Sequence, residues 1–234
     1  MLKTFIDIIS IFKKKLFYKK QSYSFGGVDL LVNYLLKDVK NGFYLDVGAQ
    51  NPISNNNTYI LYKRGWNGIN IDLDSKNIAL FNIARKKDVN ICSVVSSSIS
   101  EKELYFFHDK SAINTVEKNI ANLQMNKYKE IKKVKAKTLN SIIDTYPEKK
   151  INYLNIDVEG HELEVLKGFD LAKHKPDVIS VEYLDLNMKK LEFKNNNLNV
   201  IINSELYKYM IINDYYFVNW NHADLIFVSN SFRD

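Results

Sequence analysis

Short apolar runs of strand length alternate along this chain with amphipathic segments of helical period. The predicted strands cover residues 43–48, 68–72, 88–95, 151–156 and 178–181, and the predicted helices between them cover residues 59–63, 78–87, 139–146 and 161–167. Such an alternation favours a parallel sheet with helices on both faces and right-handed crossovers. The pattern therefore predicts an α/β, doubly wound domain.

The remaining pattern is less regular. An amphipathic segment at 28–36 precedes the first strand, residues 104–107 predict a strand, and residues 111–134 predict a loop and a helix. After a loop at 195–197 come a helix at 204–211 and two aromatic strands at 215–218 and 225–228. No repeat or linker interrupts this order, so residues 24–234 are predicted to form one domain.

The first 21 residues have an apolar face followed by five lysines. Asp7 interrupts the apolar run, which is far shorter than the roughly 20 residues of a membrane-spanning helix. No small-residue cleavage site follows, so we predict a helical extension over residues 1–23 and neither a transmembrane span nor a secretory signal. This helix would pack against the domain, join a second copy in a homodimer, or make peripheral contact with a membrane.

Composition adds a few limits to this interpretation. Of the 234 residues, 46% are apolar and 26% are charged, which is typical of a soluble globular domain. The single cysteine, Cys92, excludes an internal disulfide and favours the cytoplasm. The net charge is +6, but only three of the 33 basic residues are arginine, on which nucleic-acid-binding proteins usually rely. We therefore expect no nucleic-acid partner, and a surface that could approach an anionic glycan or lipid.

Polar residues follow the first three predicted strands, at the sheet edge where open α/β folds bind ligands. Asp46, Gly48 and Ala49 end the first strand and Asp72 ends the second. A glycine turn followed by an acid on the next strand suits a nucleoside, because the carboxylate can accept hydrogen bonds from the ribose hydroxyls. The G-x-G-x-x-G cradle for a pyrophosphate is absent, which favours a cationic nucleoside without phosphates, S-adenosylmethionine, with Ser96 near its adenine. The alternative for each aspartate is a helix N-cap.

The fourth predicted strand ends in Asp157, Glu159 and His161, and the fifth ends in Glu182. Clustered groups of this kind can accept the proton of an attacking hydroxyl, and neighbouring carboxyls raise one another's pKa. The same acids could hold a hard cation such as Mg²⁺. The alternative for His161 is a helix-start residue bonded to backbone, and Glu162 is expected on a solvated helix face.

Two long segments of the chain resemble a known family. They are residues 43–49 (FYLDVGA), continued by 57–59 and 62–72, and residues 156–168 (IDVEGHELEVLKG), preceded by 138–142. These motifs, in this order, resemble the FkbM-type S-adenosylmethionine-dependent methyltransferases over about residues 24–228.

The resemblance implies a Rossmann-like, mostly parallel sheet of seven strands of the class I methyltransferase type, with a reversed last strand. It also implies methyl transfer to an oxygen, commonly a hydroxyl of a sugar or a natural product. By this match Asp46, Gly48 and Asp72 would bind the cofactor. Asp157, Glu159 and His161 would face the transferred methyl. Where relatives often carry His-His-Pro, this chain has residues 50–52 (QNP), so any role of those histidines is either absent here or taken by His161.

The sequence therefore predicts an S-adenosylmethionine-dependent O-methyltransferase that acts on a hydroxyl of a small-molecule or glycan acceptor, such as a capsule or lipopolysaccharide sugar. Two other classes stay open. A nucleotide-sugar or NAD-using enzyme on the same sheet is disfavoured by the missing glycine cradle. A non-catalytic module that binds a glycan or a membrane would keep the fold but would need no acid cluster.

Overall fold

The computed structural model describes residues 21–146, 149–183, 198–221 and 223–233. Residues 1–20 of the predicted N-terminal helix, with its expected membrane or subunit contact, lie outside these ranges, as does the predicted loop at 195–197. In the ranges that are described, no helix is both long and apolar enough to cross a membrane.

Ten strands form within the described ranges. They are β1 (Phe43–Val47), β2 (Asn67–Asp72), β3 (Val89–Cys92), β4 (Val94–Val95), β5 (Glu101–Phe106), β6 (Glu130–Lys137), β7 (Tyr153–Ile156), β8 (Val178–Glu182), β9 (Tyr215–Asn221) and β10 (Asp224–Ser229). Seven of them make one sheet in the order β3-β2-β1-β7-β8-β10-β9. Its pairs are parallel except at β10, which runs antiparallel to both β8 and β9. This order confirms the predicted Rossmann-like sheet with one reversed strand.

The other three strands form a small sheet in the order β4-β6-β5. It corrects two predictions. The strand predicted at 88–95 is divided between the two sheets: the Ser93 amide still donates to the carbonyl of Asp72 in β2, but Val94 and Val95 pair with β6. The segment predicted as loop and helix at 111–134 contains a helix at Lys118–Leu123, but its last residues form the start of β6, whose lysines conceal its alternation of exposed and covered positions.

Helices cover both faces of the large sheet. They are α1 (Val28–Leu35), α2 (Tyr59–Lys63), α3 (Ser75–Ala84), α4 (Lys118–Leu123), α5 (Leu139–Ile143), α6 (Glu162–Lys167), α7 (Leu171–His174), α8 (Leu198–Ile202), α9 (Glu205–Ile212) and α10 (Asn230–Arg233). Side-chain oxygens of Asp74, Thr138 and Ser204 cap α3, α5 and α9 by accepting a first-turn amide. These are the residue types that N-caps prefer, so local sequence sets where the helices begin.

The hydrophobic core has two halves, one on each face of the sheet. On the first face, strand residues such as Leu45 and Leu154 pack with α5, α6 and α9. On the second face, Tyr44 and Tyr153 pack with α1 and with Trp66. The sheet is therefore buried on both sides, as expected for parallel strands.

On the second face, polar side chains replace apolar ones towards the carboxyl ends of the strands. One row crosses five neighbouring strands in register and consists of Asn90, Asn70, Asp46, Asn155 and Ser180. Members of this row bond one another: Asn70 donates to Asn90 (2.8 Å), Asn155 donates to Asp46 (2.9 Å) and Ser180 donates to Asn155 (2.6 Å). Two residues further along the strands lies a second row, made of Asp72, Gly48, Asp157, Glu182 and the β10 partner Asp224. The acidic edge of the sheet thus lies directly beyond a hydrogen-bonded row in which amides and a hydroxyl surround one acid, Asp46.

Arg85, at the end of α3, is a fully buried cation. Its guanidinium donates to the Pro52 carbonyl (2.8 Å), to Asn56 (2.5 Å) and to Thr58 (2.9 Å), and its Nη1 lies 3.7 Å from a carboxylate oxygen of Asp88. Asn56 and Thr58 in turn donate to Asp46. Arg85 therefore fixes the loop after β1 against the sheet.

We expect Arg85→Met to lower the free energy of unfolding by about 3–5 kcal/mol, because it leaves buried Asp88 without its cation and removes the donors to loop 52–58. Urea denaturation measures this loss. Arg233→Met, at an exposed arginine of α10, serves as the control and should stay within about 0.5 kcal/mol of the wild type. A loss below about 1 kcal/mol for Arg85→Met would show that the network does not hold the fold.

Candidate functional site

An open pocket with about 680 Å³ of empty space lies at the carboxyl edge of the large sheet. The segments that follow β1, β2, β3, β5 and β7 line it. Cofactors and substrates commonly bind at this edge of α/β folds. Among the described residues, none of the side chains that line the pocket is a lysine or an arginine.

Gly48 brings the turn after β1 into contact with the turn after β7. Its φ is +81°, and a Cβ built on it would lie only 1.6 Å from the carbonyl oxygen of Asp157. Any other residue would therefore push the two turns apart. Because Gly48 carries no side chain, its backbone lies open at the pocket wall, as close approach to a nucleoside requires.

Asp72 lies at the end of β2 and lines the same pocket. Its carboxylate accepts the amides of Gln50 (2.8 Å) and Asp74 (2.7 Å) and the side chain of Asn77 (3.1 Å). Burial raises the pKa of Asp72, while these three donors act in the opposite direction. The N-cap alternative applies to Asp74, which caps α3, and not to Asp72. Asp72 is therefore held rigidly where a ligand can reach it.

The other three predicted cofactor residues do not line the pocket. Asp46 is fully buried and accepts hydrogen bonds from Asn56, Thr58 and Asn155. Ala49 and Ser96 are also buried, and residues 93–95 line the pocket in place of Ser96. Direct contact of Asp46, Ala49 and Ser96 with a cofactor stays a prediction.

The structure brings three of the predicted acids together. Asp157, Glu159 and Glu182 each offer a carboxylate oxygen within 4.8 Å of the others, and Asp157 is hydrogen-bonded to Glu182. The Oε2 atom of Glu182 is buried and accepts no hydrogen bond. Asp157 and Glu159 line the pocket, so the cluster meets the cavity through these two residues.

Asp224 joins this group from β10, opposite Glu182 in register, although the sequence did not point to it. It lies at the beginning of its strand and reaches the carboxyl edge because β10 is reversed. The only local signal is an acid directly before an apolar run, which is common in any protein. Only the reversed strand implied by the family resemblance could have identified it.

Burial governs the titration of this cluster. It raises the pKa of Asp157 to about 6, that of Glu159 to about 8, that of Asp224 to about 8 and that of Glu182 to about 12. The negative charge of Asp157 further raises the pKa of the other three carboxyls. At neutral pH Glu182 is therefore protonated, and Asp157 is the carboxyl that ionises most readily.

His161 uses both ring nitrogens for contacts with other side chains. Nδ1 lies 2.5 Å from a carboxylate oxygen of Glu117, and Nε2 lies 2.9 Å from the Ser96 hydroxyl. His161 stands at the start of α6 as the alternative expected, but its partners are side chains and not backbone. The order Ser96, His161, Glu117 is that of a nucleophile relay, yet the side chain of Ser96 is fully buried and cannot reach a ligand.

Glu162 corrects a further prediction. It was expected on a solvated face, but it is only 5% exposed. Its carboxylate accepts hydrogen bonds from the backbone amides of Val158 (3.0 Å) and Gly160 (2.9 Å). These two bonds hold the side chain in the protein interior. Burial, opposed by these amides, raises its pKa to about 7. Hydrophobic periodicity cannot reveal an acid that is buried by backbone donors.

The acid cluster makes stability depend on pH. The pKa of Asp224 rises from 3.8 to about 8 on folding and that of Glu159 from 4.5 to about 8. Between these values the folded protein keeps protons that the unfolded chain has released, so the free energy of unfolding falls as pH rises from about 4 to about 8.

We expect Asp224→Asn, which keeps the acceptor for Asn57, to raise the Tm at pH 8 by about 2–4 °C or more and to change it little at pH 5. Thermal unfolding across this pH range measures the difference. Asp38→Asn, at an exposed aspartate, should follow the wild-type curve. If Asp224→Asn also follows that curve, Asp224 does not carry the raised pKa.

Comparison with known proteins adds the family. A model of the methyltransferase FkbM domain matches residues 46–209, which is more than half of the chain. No curated protein sequence matches the chain.

Among solved structures, the chain is similar to the crystal structure of methyltransferase FkbM from Methylobacillus flagellatus KT, with 11% sequence identity and a TM-score of 0.47. The similarity covers 81% of this chain and 43% of that one, so this chain spans less than half the length of its structural neighbour. The match of the domain model, with both resembling motifs inside or next to its limits, shows that the chain belongs to the FkbM methyltransferase family.

Proposed function

We propose that this protein is an S-adenosylmethionine-dependent O-methyltransferase that acts on a hydroxyl of a sugar or glycan. One observation carries the proposal. A single pocket has a glycine turn and Asp72 on one side and the carboxyls of Asp157 and Glu159 on the other. The first side suits a nucleoside, the second suits proton removal, and the family is one of methyltransferases.

The residues present fit the cofactor. Asp72 offers carboxylate oxygens to the ribose hydroxyls, and the bare backbone of Gly48 leaves room beside them. Val94 and Val95 give an apolar wall for a purine ring. The acidic lining favours a ligand that carries positive charge. When bound, S-adenosylmethionine supplies an electrophilic methyl group on its sulfonium.

The acids after β7 provide the chemistry on the acceptor side. Asp157 or Glu159 takes the proton of the attacking hydroxyl, since raised pKa values near neutrality suit a general base. His161 is less suited to this role because both of its ring nitrogens are already hydrogen-bonded. A general base of this kind raises the rate by a factor of about 10²–10⁴. Orientation of two reactants lowers the activation barrier by about 7–11 kcal/mol, which corresponds to a larger factor. Binding geometry therefore matters more than proton transfer.

We expect Asp72→Ala to weaken S-adenosylmethionine binding more than tenfold, because it removes a carboxylate acceptor of two ligand hydroxyls. Glu159→Ala should leave the affinity within about threefold and lower turnover by about 10²-fold or more. Isothermal titration calorimetry and transfer of a labelled methyl group measure the two effects, with the exposed Asp38→Ala as control. The proposal fails if the wild-type protein does not bind the cofactor, and the site assignment fails if Asp72→Ala binds normally.

The acceptor is found by screening neutral, amino and acidic sugars, free and nucleotide-linked, with the labelled cofactor. The two alternative functions predict different results in the same calorimetric experiment. A nucleotide-sugar or NAD-using enzyme binds those ligands in place of S-adenosylmethionine. A non-catalytic module binds a glycan or anionic vesicles with no transfer of label.

A divalent cation is the second part of the proposal. Asp157, Glu159 and Glu182 offer only oxygen atoms, as Mg²⁺ prefers, and Glu182 Oε2 has no other partner. An ion held there would neutralise the cluster and orient an acceptor hydroxyl.

We expect removal of divalent ions with EDTA to lower turnover more than tenfold and addition of Mg²⁺ to restore it. Added Mg²⁺ should also raise the Tm at pH 8, where the carboxyls are more ionised, and Glu182→Gln should weaken this effect. If turnover is unchanged in EDTA and the Tm does not depend on Mg²⁺, the cluster does not hold a divalent ion. Bound protons and the cofactor would then balance the negative charge of the carboxyls.

A further inference from the structure

The turn that carries Asp157 and Glu159 to the pocket has an unfavourable backbone. Glu159 has φ +57° and Gly160 has φ +96°, both in the left-handed region. Glycine adopts this region freely, but glutamate does not, and such conformations persist only where surrounding contacts hold them. The position of the Glu159 carboxyl therefore depends on what holds the turn.

Glu162 supplies the central contact. One carboxylate oxygen accepts the amides of Val158 and Gly160, which flank Glu159 on both sides. Thr115 adds a second contact by donating its hydroxyl to the carbonyl of Glu159 (2.9 Å). A Cβ built on Gly160 would lie 2.6 Å from the side chain of Ile120, so α4 also packs closely against the turn.

Two features separate Glu162 from the acids of the mechanism. It does not line the pocket, and the oxygen that binds the turn is already shared by two amides. A carboxylate that accepts backbone amides makes stronger bonds than a neutral acceptor, because one partner is charged. The geometry is that of a support and not of a group that meets the substrate.

We propose that Glu162 is a positioning residue whose carboxylate holds the 157–160 turn so that Asp157 and Glu159 face the transferred methyl. The proposal rests on the proposed function of the site. It assigns no proton transfer to Glu162. It predicts that loss of the acceptor damages turnover and spares the cofactor side, because Gly48 and Asp72 have their own bonds to the sheet and to neighbouring amides.

The test compares Glu162→Gln with Glu162→Ala. Glutamine keeps an oxygen that can accept both amides, so we expect kcat within about fivefold of the wild type. Alanine removes the acceptor, and we expect kcat to fall at least 20-fold while the calorimetric Kd for S-adenosylmethionine changes less than threefold. Glu164→Gln is the matched control: this acid of the same helix bonds Ser97 and Lys167, and its variant should match the wild type.

Several outcomes overturn the proposal. If Glu162→Gln is as slow as Glu162→Ala, the charge or the proton of Glu162 matters and not its acceptor. If Glu162→Ala keeps its kcat, the turn needs no support. An equal loss in kcat and in cofactor affinity would indicate general damage to the fold.

A second measurement covers a Glu162→Ala variant that does not fold. In the wild-type protein, the amides of Val158 and Gly160 should exchange with deuterium as slowly as those of β7, and both should exchange faster in Glu162→Gln. Rapid exchange in the wild type overturns the proposal. This experiment needs no turnover, so it separates a failure of the Glu162 inference from a failure of the proposed function, which would appear as absent cofactor binding.

Discussion

The close approach of Gly48 to the carbonyl oxygen of Asp157 sets the spacing of the whole site. No side chain fits between the turns after β1 and β7, so the part of the pocket proposed to bind the cofactor adjoins the acidic part. In-line transfer needs both reactants in one cavity at contact distance. A larger residue at position 48 would separate them before any catalytic group was changed.

The layer beneath this contact explains how an acidic edge can be tolerated. Asp46, Asn155 and Ser180 occupy one register row across the sheet, where Asn155 donates to Asp46 and Ser180 donates to Asn155. Buried polar groups destabilise a fold unless each has a partner. Arg85 and the loop it holds supply partners for Asp46. The network thus gives the buried carboxylate of Asp46 its donors directly beneath the row that contains Asp157 and Glu182.

Hydrophobic pattern and strand ends account for much of the fold and for part of the site. The bounds of β1 and α2 lie within one residue of those expected, and β1 is a continuous buried run that ends directly before Gly48. Asp72, Asp157, Glu159 and Glu182 meet near one sheet edge because parallel strands end together. Asp224 could not be placed without the reversal of β10, and Glu117 owes its position to a hydrogen bond with distant His161. Glu162 is held by local backbone amides, which the hydrophobic pattern does not reveal. The division of residues 88–95 depends on a second sheet whose lysine-rich strand hides its period.

The reversed strand β10 also bears on when the acidic cluster is completed as the protein is made. This strand lies between β8 and β9, and it delivers Asp224 to a cluster that includes residues from position 157. Val47 is the first residue along the chain that lines the pocket, so the site and its acid cluster join segments almost 180 residues apart, from Val47 to Asp224. Contacts between such distant segments form late, because the loop they close must first be ordered. A chain still emerging from the ribosome can have its first strands and Asp72 in place, yet its acidic cluster stays incomplete until β10 has been synthesised.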